Sequence, residues 1–208
     1  MILIYFFVIA YICFFAIIIC GYSLLLKKKP PDYSSESVTI SILISVRNES
    51  HRIAPLLKSF DRCNSDSNNF ELIFIDDHSL DNTIDKLNSW ALSSAINTKI
   101  ISLENNLKGK KNAIKQGVLL SNSDYILCLD ADVSFNSNFL NIISSSIHES
   151  KDLYFIPLIE YSNGNVFSII ESFMLSLVTL GSAKLNFPIL SNGAAMLFKK
   201  SSFDELNP

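Results

Sequence analysis

Charge is missing from the start of this chain. Met1 to Leu26 contains no Asp, Glu, Lys or Arg, so all 17 basic and 20 acidic residues of the 208-residue sequence follow it. As a helix rising ~1.5 Å per residue, such a stretch exceeds the ~30 Å hydrocarbon core of a bilayer. Residues 1–26 therefore read as an uncleaved transmembrane anchor. A cleaved signal peptide is the competing reading, but its marks are missing too. No basic residue precedes the segment, the apolar run is longer than the usual ~7–15 residues, and no small-x-small site stands before the lysines. Lys27-Lys28-Lys29 follows at once, and the positive-inside rule puts that triplet in the cytoplasm. The expectation is a single-pass membrane protein with its N-terminus outside and its globular part cytoplasmic.

Other absences narrow the class further. The four cysteines include no CxxC pair, and two of them, Cys13 and Cys20, lie in the apolar segment, so no disulfide framework is expected. His51, His78 and His148 stand alone in sequence, without partners at zinc-ligand spacing. No tandem repeat or low-complexity tract is present. With 49% hydrophobic residues and a formal charge of −3, composition excludes disorder, collagen and a polybasic nucleic-acid binder. No GxGxxG follows the first apolar run, which argues against a dinucleotide oxidoreductase.

What is present after a Pro/Ser linker (27–37) is an alternation of two periods. Val38–Val46, Phe70–Ile75, Lys99–Leu103, Asp124–Leu129 and Leu153–Ile159 are apolar runs of strand length. Helical spacing separates them: Ile53, Leu56, Leu57 and Phe60 share a face, and further helices are predicted near 80–94, 110–120 and 138–148. Repeated β-α units imply an α/β fold, a mostly parallel sheet covered by helices on both faces. The stretch 166–185 is apolar but carries Glu171 and several serines. It is expected to be a buried or interface helix of the domain, with an interfacial membrane helix as the alternative.

Polar clusters stand directly after successive strands: Arg47-Asn48-Glu49, Asp76-Asp77-His78-Ser79, Glu104-Asn105-Asn106 and Asp130-Ala131-Asp132. In a parallel sheet the carboxyl ends of the strands share one edge, so the four clusters converge on one crevice. Each alone has a structural reading as a helix cap or turn. Together they mark a ligand site. Gathered carboxylates repel one another unless a cation is present, and Asp130 and Asp132 at a strand end suit a hard ion such as Mg²⁺ or Mn²⁺ bridging to a diphosphate.

The stretches ISILISVRNES, ELIFIDDHSLDNT, KGKKNAIKQGVLLSNSDYILCLDADV and NGAAMLFKKSSF, spanning about Ile40 to Phe203, together resemble the family 2 glycosyltransferases, which have the GT-A fold. The resemblance implies an inverting transfer from a nucleotide-diphospho-sugar, a UDP-sugar foremost, to a cell-envelope glycan or lipid-linked acceptor. By the same resemblance Val46, Arg47 and Glu49 flank the nucleoside, Asp77 reads the base and Lys111 flanks the nucleotide. Asp130 and Asp132 form the DxD motif that contacts the ribose and the metal-bound diphosphate, and Asn192 and Gly193 line the donor-sugar and acceptor loop.

Two departures accompany it. Ser45 stands where the family commonly has proline in the first strand. The family's general base lies on an element beyond the NGAAMLFKKSSF region, and Asp204 and Glu205 match the helix after that stretch instead. The expectation is therefore a domain over 38–208, incomplete at its C-terminus, with its base unassigned. A nucleotide-sugar-binding fragment without turnover is the alternative. A haloacid-dehalogenase-like phosphatase also places DxD after an apolar strand, but its lysine and acidic pair should follow the motif, whereas Asp76-Asp77 precedes it.

Overall fold

The computed structural model describes residues 2–26, 38–63, 69–147, 153–155, 165–187, 189 and 194–206. The chain divides into two compact units, one made of Met1–Pro30 with Phe155–Asn192 and the other of Pro31–Tyr154 with Gly193–Pro208. The linker 27–37 lies outside the described residues.

The larger unit is built on β1 (Ile40–Val46), which takes the centre of a six-stranded sheet of order β3-β2-β1-β4-β6-β5. It pairs in parallel with β2 (Phe70–Asp76) on one side and β4 (Tyr125–Asp130) on the other, and β3 (Asn97–Ser102) extends the parallel set. Six of its seven residues are buried, the pattern of a strand covered on both faces. Strand alternation then sorts its side chains. Leu43, with Ile73 and Ile75 of β2, packs in one cluster with Ala113 and Val118 of α4 (Lys110–Leu120). Gly117 is a close fit there: a Cβ would lie 3.0 Å from terminal methyl groups of both Leu43 and Ile75. Toward the opposite face Phe74 meets Trp90 of α3 (Thr83–Ala91), which also meets Phe60 of α2 (Ala54–Asp61). Phe135 links Phe60 to Phe139 of α5 (Phe139–Ser146).

The predicted strands and helices recur with shifts of one to three residues at most ends. The fifth run is a strand, β5, over Leu153–Phe155, and its predicted extension to Ile159 lies outside the described residues, as does His148 at the end of the predicted α5. The periodicity gave no signal for β6 (Ala195–Lys199), which runs antiparallel to β4 with Ala195 opposite Leu129. It is followed by α7 (Lys200–Leu206).

In the smaller unit, α1 (Ile2–Leu26) packs on α6 (Val166–Lys184). The approach is backbone to backbone. A Cβ on Gly21 would fall 2.3 Å from the Gly181 carbonyl oxygen, and one on Gly181 would fall 2.4 Å from that of Ile18. Tyr22 adds an edge-on contact with Phe173 at 6.4 Å. The helix expected at 166–185 thus forms, packed on α1 in this unit.

One buried charge braces the sheet at the end away from the strand carboxyl termini. Glu71 of β2 accepts from the Ser41 hydroxyl of β1, from Lys99 of β3 at 2.9 Å and from the Asn122 N–H at 2.8 Å. Burial alone would raise its carboxyl, but the Asn122 and Ser41 hydrogen bonds and the Lys99 charge outweigh it and hold the pKa below the ordinary value. A lowered folded-state pKa means stability that is present above the unfolded carboxyl's pKa and is lost as pH falls through the folded one. Urea midpoints measured from pH 7 down to pH 3 should fall less steeply for Glu71→Gln than for the native chain. Parallel profiles would show that this carboxylate adds nothing to acid sensitivity.

Candidate active site

The cleft follows from topology. The chain runs β1, β2, β3 outward on one side and then returns to place β4 on the other side of β1. At such a reversal the loops leaving the two strand ends diverge and open a crevice at the carboxyl edge. Here a cleft of about 270 Å³ is lined by Ser45, Val46, Arg47, Glu49, Asp77, Lys110, Asp130, Ala131 and Asp132.

Its β1 wall is held by the loop after β2. Asn48 adopts φ 55°, a left-handed conformation that Asn tolerates. Its N–H donates to the Ser79 hydroxyl (2.9 Å), and its side-chain oxygen accepts from the Leu80 N–H (2.7 Å). The next two N–H groups donate to the Thr83 hydroxyl and the Asp81 carboxylate, and Lys86 donates to the Ser50 carbonyl at 2.7 Å. The Ser50 and Thr83 hydrogen bonds hold Asp81 well below the usual carboxylate range. Glu49 is bridged by Arg52 at 3.0 Å.

Asp77 is the deepest charge in the cleft, 6% exposed. Its N–H donates to the Val46 carbonyl (2.9 Å), locking the two strand ends together. Its carboxylate accepts from His78 Nδ1 (3.1 Å) and the Gly109 N–H (3.0 Å), and faces the Arg47 guanidinium at 3.4 Å. Burial works to raise this carboxyl, but the His78 and Gly109 bonds and the Arg47 charge prevail and keep it below its ordinary value. Asp77 is thus a fixed anion at neutral pH. His78 Nε2 is buried with no hydrogen-bond partner among the described residues. Asp76 turns away and accepts from the Ser79 N–H.

On the far wall Asp130 ends β4 directly opposite Ser45. Its N–H donates to the Ala194 carbonyl (3.0 Å), and its carboxylate is paired with the Lys110 ammonium. Asp132 lines the same cleft, is exposed, and makes no ion pair among the described residues. No three His, Cys, Asp or Glu side chains among the described residues form a metal cage. Two hard carboxylates still fit a Mg²⁺ or Mn²⁺ that draws its remaining ligands from water and phosphate.

Six residues expected at the site, Val46, Arg47, Glu49, Asp77, Asp130 and Asp132, thus meet in one cleft. Lys111 does not; it is exposed on α4, and its neighbour Lys110 lines the wall instead. The Glu104-Asn105-Asn106 cluster is exposed and outside the lining. Asn192 and Gly193 lie outside the described residues, and so do the side chains of Asp204 and Glu205 on α7.

Comparison with known proteins agrees with this geometry. Residues 41–205 match the family described as glycosyl transferase family 2. The chain belongs to that family. Its fold is therefore the GT-A fold, and the phosphatase and oxidoreductase readings fall. A poly-beta-1,6-N-acetyl-D-glucosamine synthase of Staphylococcus aureus is 33% identical over 107 residues, 51% of this chain and 25% of that protein. Among solved structures, a mannosyltransferase from Pyrobaculum calidifontis in complex with GDP-Man and Mn²⁺ superposes with a TM-score of 0.68 at 16% identity, over 93% of this chain and 58% of that one. Staphylococcus aureus TarS 1-349 in complex with UDP-GlcNAc gives 0.60 at 17% identity, over 82% and 48%. This family 2 chain spans a quarter of the synthase and about half of each solved chain.

One glycine positions both Asp77 and Lys110. Gly109 precedes α4 with φ 88° and ψ 159°, a conformation only glycine adopts readily, and its N–H faces Asp77. Gly109→Ala should cost ~1–3 kcal/mol by the strain alone. Urea denaturation measures it. A change under a few tenths of a kcal/mol would mean that the loop relaxes without loss.

Proposed function

We propose that this family 2 chain transfers a sugar from a nucleotide-diphospho-sugar, a UDP-sugar foremost, to a glycan or lipid-linked acceptor. The observation that carries it is the meeting of Asp77, Arg47, Lys110, Asp130 and Asp132 around one cleft at the sheet's reversal point. The names of the similar proteins support it: a poly-beta-1,6-N-acetyl-D-glucosamine synthase, a mannosyltransferase in complex with GDP-Man and Mn²⁺, and TarS in complex with UDP-GlcNAc.

Asp77 accepts from the donor's base, as a buried carboxylate that stays ionised can hydrogen-bond a base N–H without a protonation cost. Val46 and Arg47 flank the nucleoside, and Arg47 and Lys110 supply cationic groups to a diphosphate. Asp130 and Asp132 would hold a divalent cation, which supplies charge neutralisation to the departing diphosphate. With only two carboxylates in the lining beside it, cation and nucleotide should bind as a pair, each incomplete without the other. Asn192 and Gly193 are assigned to the donor-sugar and acceptor loop on resemblance alone.

We further read α1 as a transmembrane anchor, since Ile4–Leu24 is long and apolar enough to cross a bilayer. The three lysines after it favour a cytoplasmic catalytic unit.

Calorimetry tests the donor site without relying on turnover. Mn²⁺ alone should bind weakly, and Mn²⁺ with UDP at least about tenfold more tightly. Asp132→Ala should remove most of that gain, because it takes away a hard ligand and leaves the fold. Lys110→Ala should act in the opposite sense on the two ligands, weakening UDP alone and strengthening Mn²⁺ alone, since Asp130 loses its resident cation. Matching titrations for native and Asp132→Ala proteins would remove the metal assignment.

A further inference from the structure

The buried and exposed positions of α6 are inverted for a helix in water. Its buried residues are Ser172, Leu177, Thr179, Gly181 and Ser182, four of them small or hydroxylated. Phe167 is 83% exposed, and Val166, Ile169, Ile170 and Phe173 are each more than half exposed. A surface helix in water turns its apolar side inward. Helices packed in lipid bring small residues together and face outward with apolar ones. The partner of α6 is α1, whose own outer side chains are exposed apolar residues such as Phe6, Phe7 and Ile12. The exposed residues of α6 therefore continue an apolar surface already assigned to lipid.

Topology decides how α6 meets that lipid. The chain leaves the sheet at β5 and returns to it at β6, its immediate neighbour. Both ends of α6 are thus tied to one sheet on one side of a membrane. Were α6 to span, the short stretch between Lys184 and Ala195 would have to recross the hydrocarbon with its backbone groups unsatisfied. An orientation in the membrane plane avoids this. It also lets exposed Glu171 reach the headgroups while its stem covers apolar surface.

We propose that α6 is a second membrane element, lying in the boundary between headgroups and acyl chains, docked on α1 through Gly21 and Gly181, with Val166, Phe167, Ile169, Ile170 and Phe173 against lipid. This rests on the reading of α1 as an anchor. It bears on the acceptor because the chain leaving α6 re-enters the sheet at Ala194, whose carbonyl accepts the Asp130 N–H. Lipid contact and the aspartate pair are joined by one short stretch of chain.

The test uses the full chain in phosphatidylcholine/phosphatidylglycerol vesicles with bromine at shallow or deep acyl positions. Trp90 is the only tryptophan, so Trp90→Phe clears the background, and Phe167→Trp, Phe173→Trp and Ile12→Trp are read one at a time. Val166→Trp replaces either phenylalanine variant that does not fold. A roughly twofold loss of emission is expected at 167 and 173 from shallow bromine, and at 12 from deep bromine. Quenching at 12 without quenching at 167 or 173 would overturn the proposal and leave the anchor standing, meaning that another protein surface covers α6. Strongest quenching by deep bromine at 167 and 173 would overturn the in-plane placement. No quenching at 12 would remove the anchor and the proposal with it.

Discussion

The central place of β1 is the constraint on which the cleft depends. Because β2 and β4 both pair with it in parallel, the carboxyl ends of three strands meet at Val46, Asp76 and Asp130. The Asp77 N–H to the Val46 carbonyl then fixes the first residue beyond the strands as firmly as the strands themselves. Only a strand buried on both faces can hold that position, and its run of Ile, Leu and Val meets the requirement. The charges lining the cleft from these strands, Arg47, Glu49, Asp77, Asp130 and Asp132, sit at this rigid edge or within three residues of it.

Electrostatics divide the cleft into two halves of different character. Asp77 is buried and held by His78, Gly109 and Arg47, with acceptor capacity left over, and its charge is a standing feature of the folded state. Asp130 and Asp132 are more open, and the Lys110 ammonium already neutralises one of them. On the function proposed above, a divalent ion at Asp130 would compete with a tethered monovalent one, and Lys110 displaced from it would be free to meet a diphosphate. The open half is suited to exchange, the closed half to recognition.

Sequence legibility followed the range of the interactions. Strands and helices of the parallel set were readable because each is a local run with its own period, and the acidic clusters because they follow strand ends. Lys110 rather than Lys111 lines the cleft, a difference of a single step of ~100° around a helix that no side-chain pattern marks. β6 gave no signal for a different reason: AMLFK is a short apolar run without alternation, running straight into a helix, and periodicity does not tell such a run from a helical segment. The Glu104 cluster obeyed the same strand-end rule as the others but follows β3, one strand removed from β1, which places it outside the reversal point.

The two helices of the smaller unit are the extreme case of this separation. About 140 residues lie between Leu26 and Val166, and closing a flexible loop of that length costs about 4 kcal/mol plus a constant. Folding of the larger unit shortens the effective loop, since most of that chain is then a fixed body and only the connecting stretches remain to be closed. Contact between Gly21 and Gly181 is favoured once the sheet has formed, and is close enough to be specific, because no side chain larger than hydrogen fits at either position. Folding of the sheet thus favours the α1–α6 pair by shortening the loop that remains to be closed.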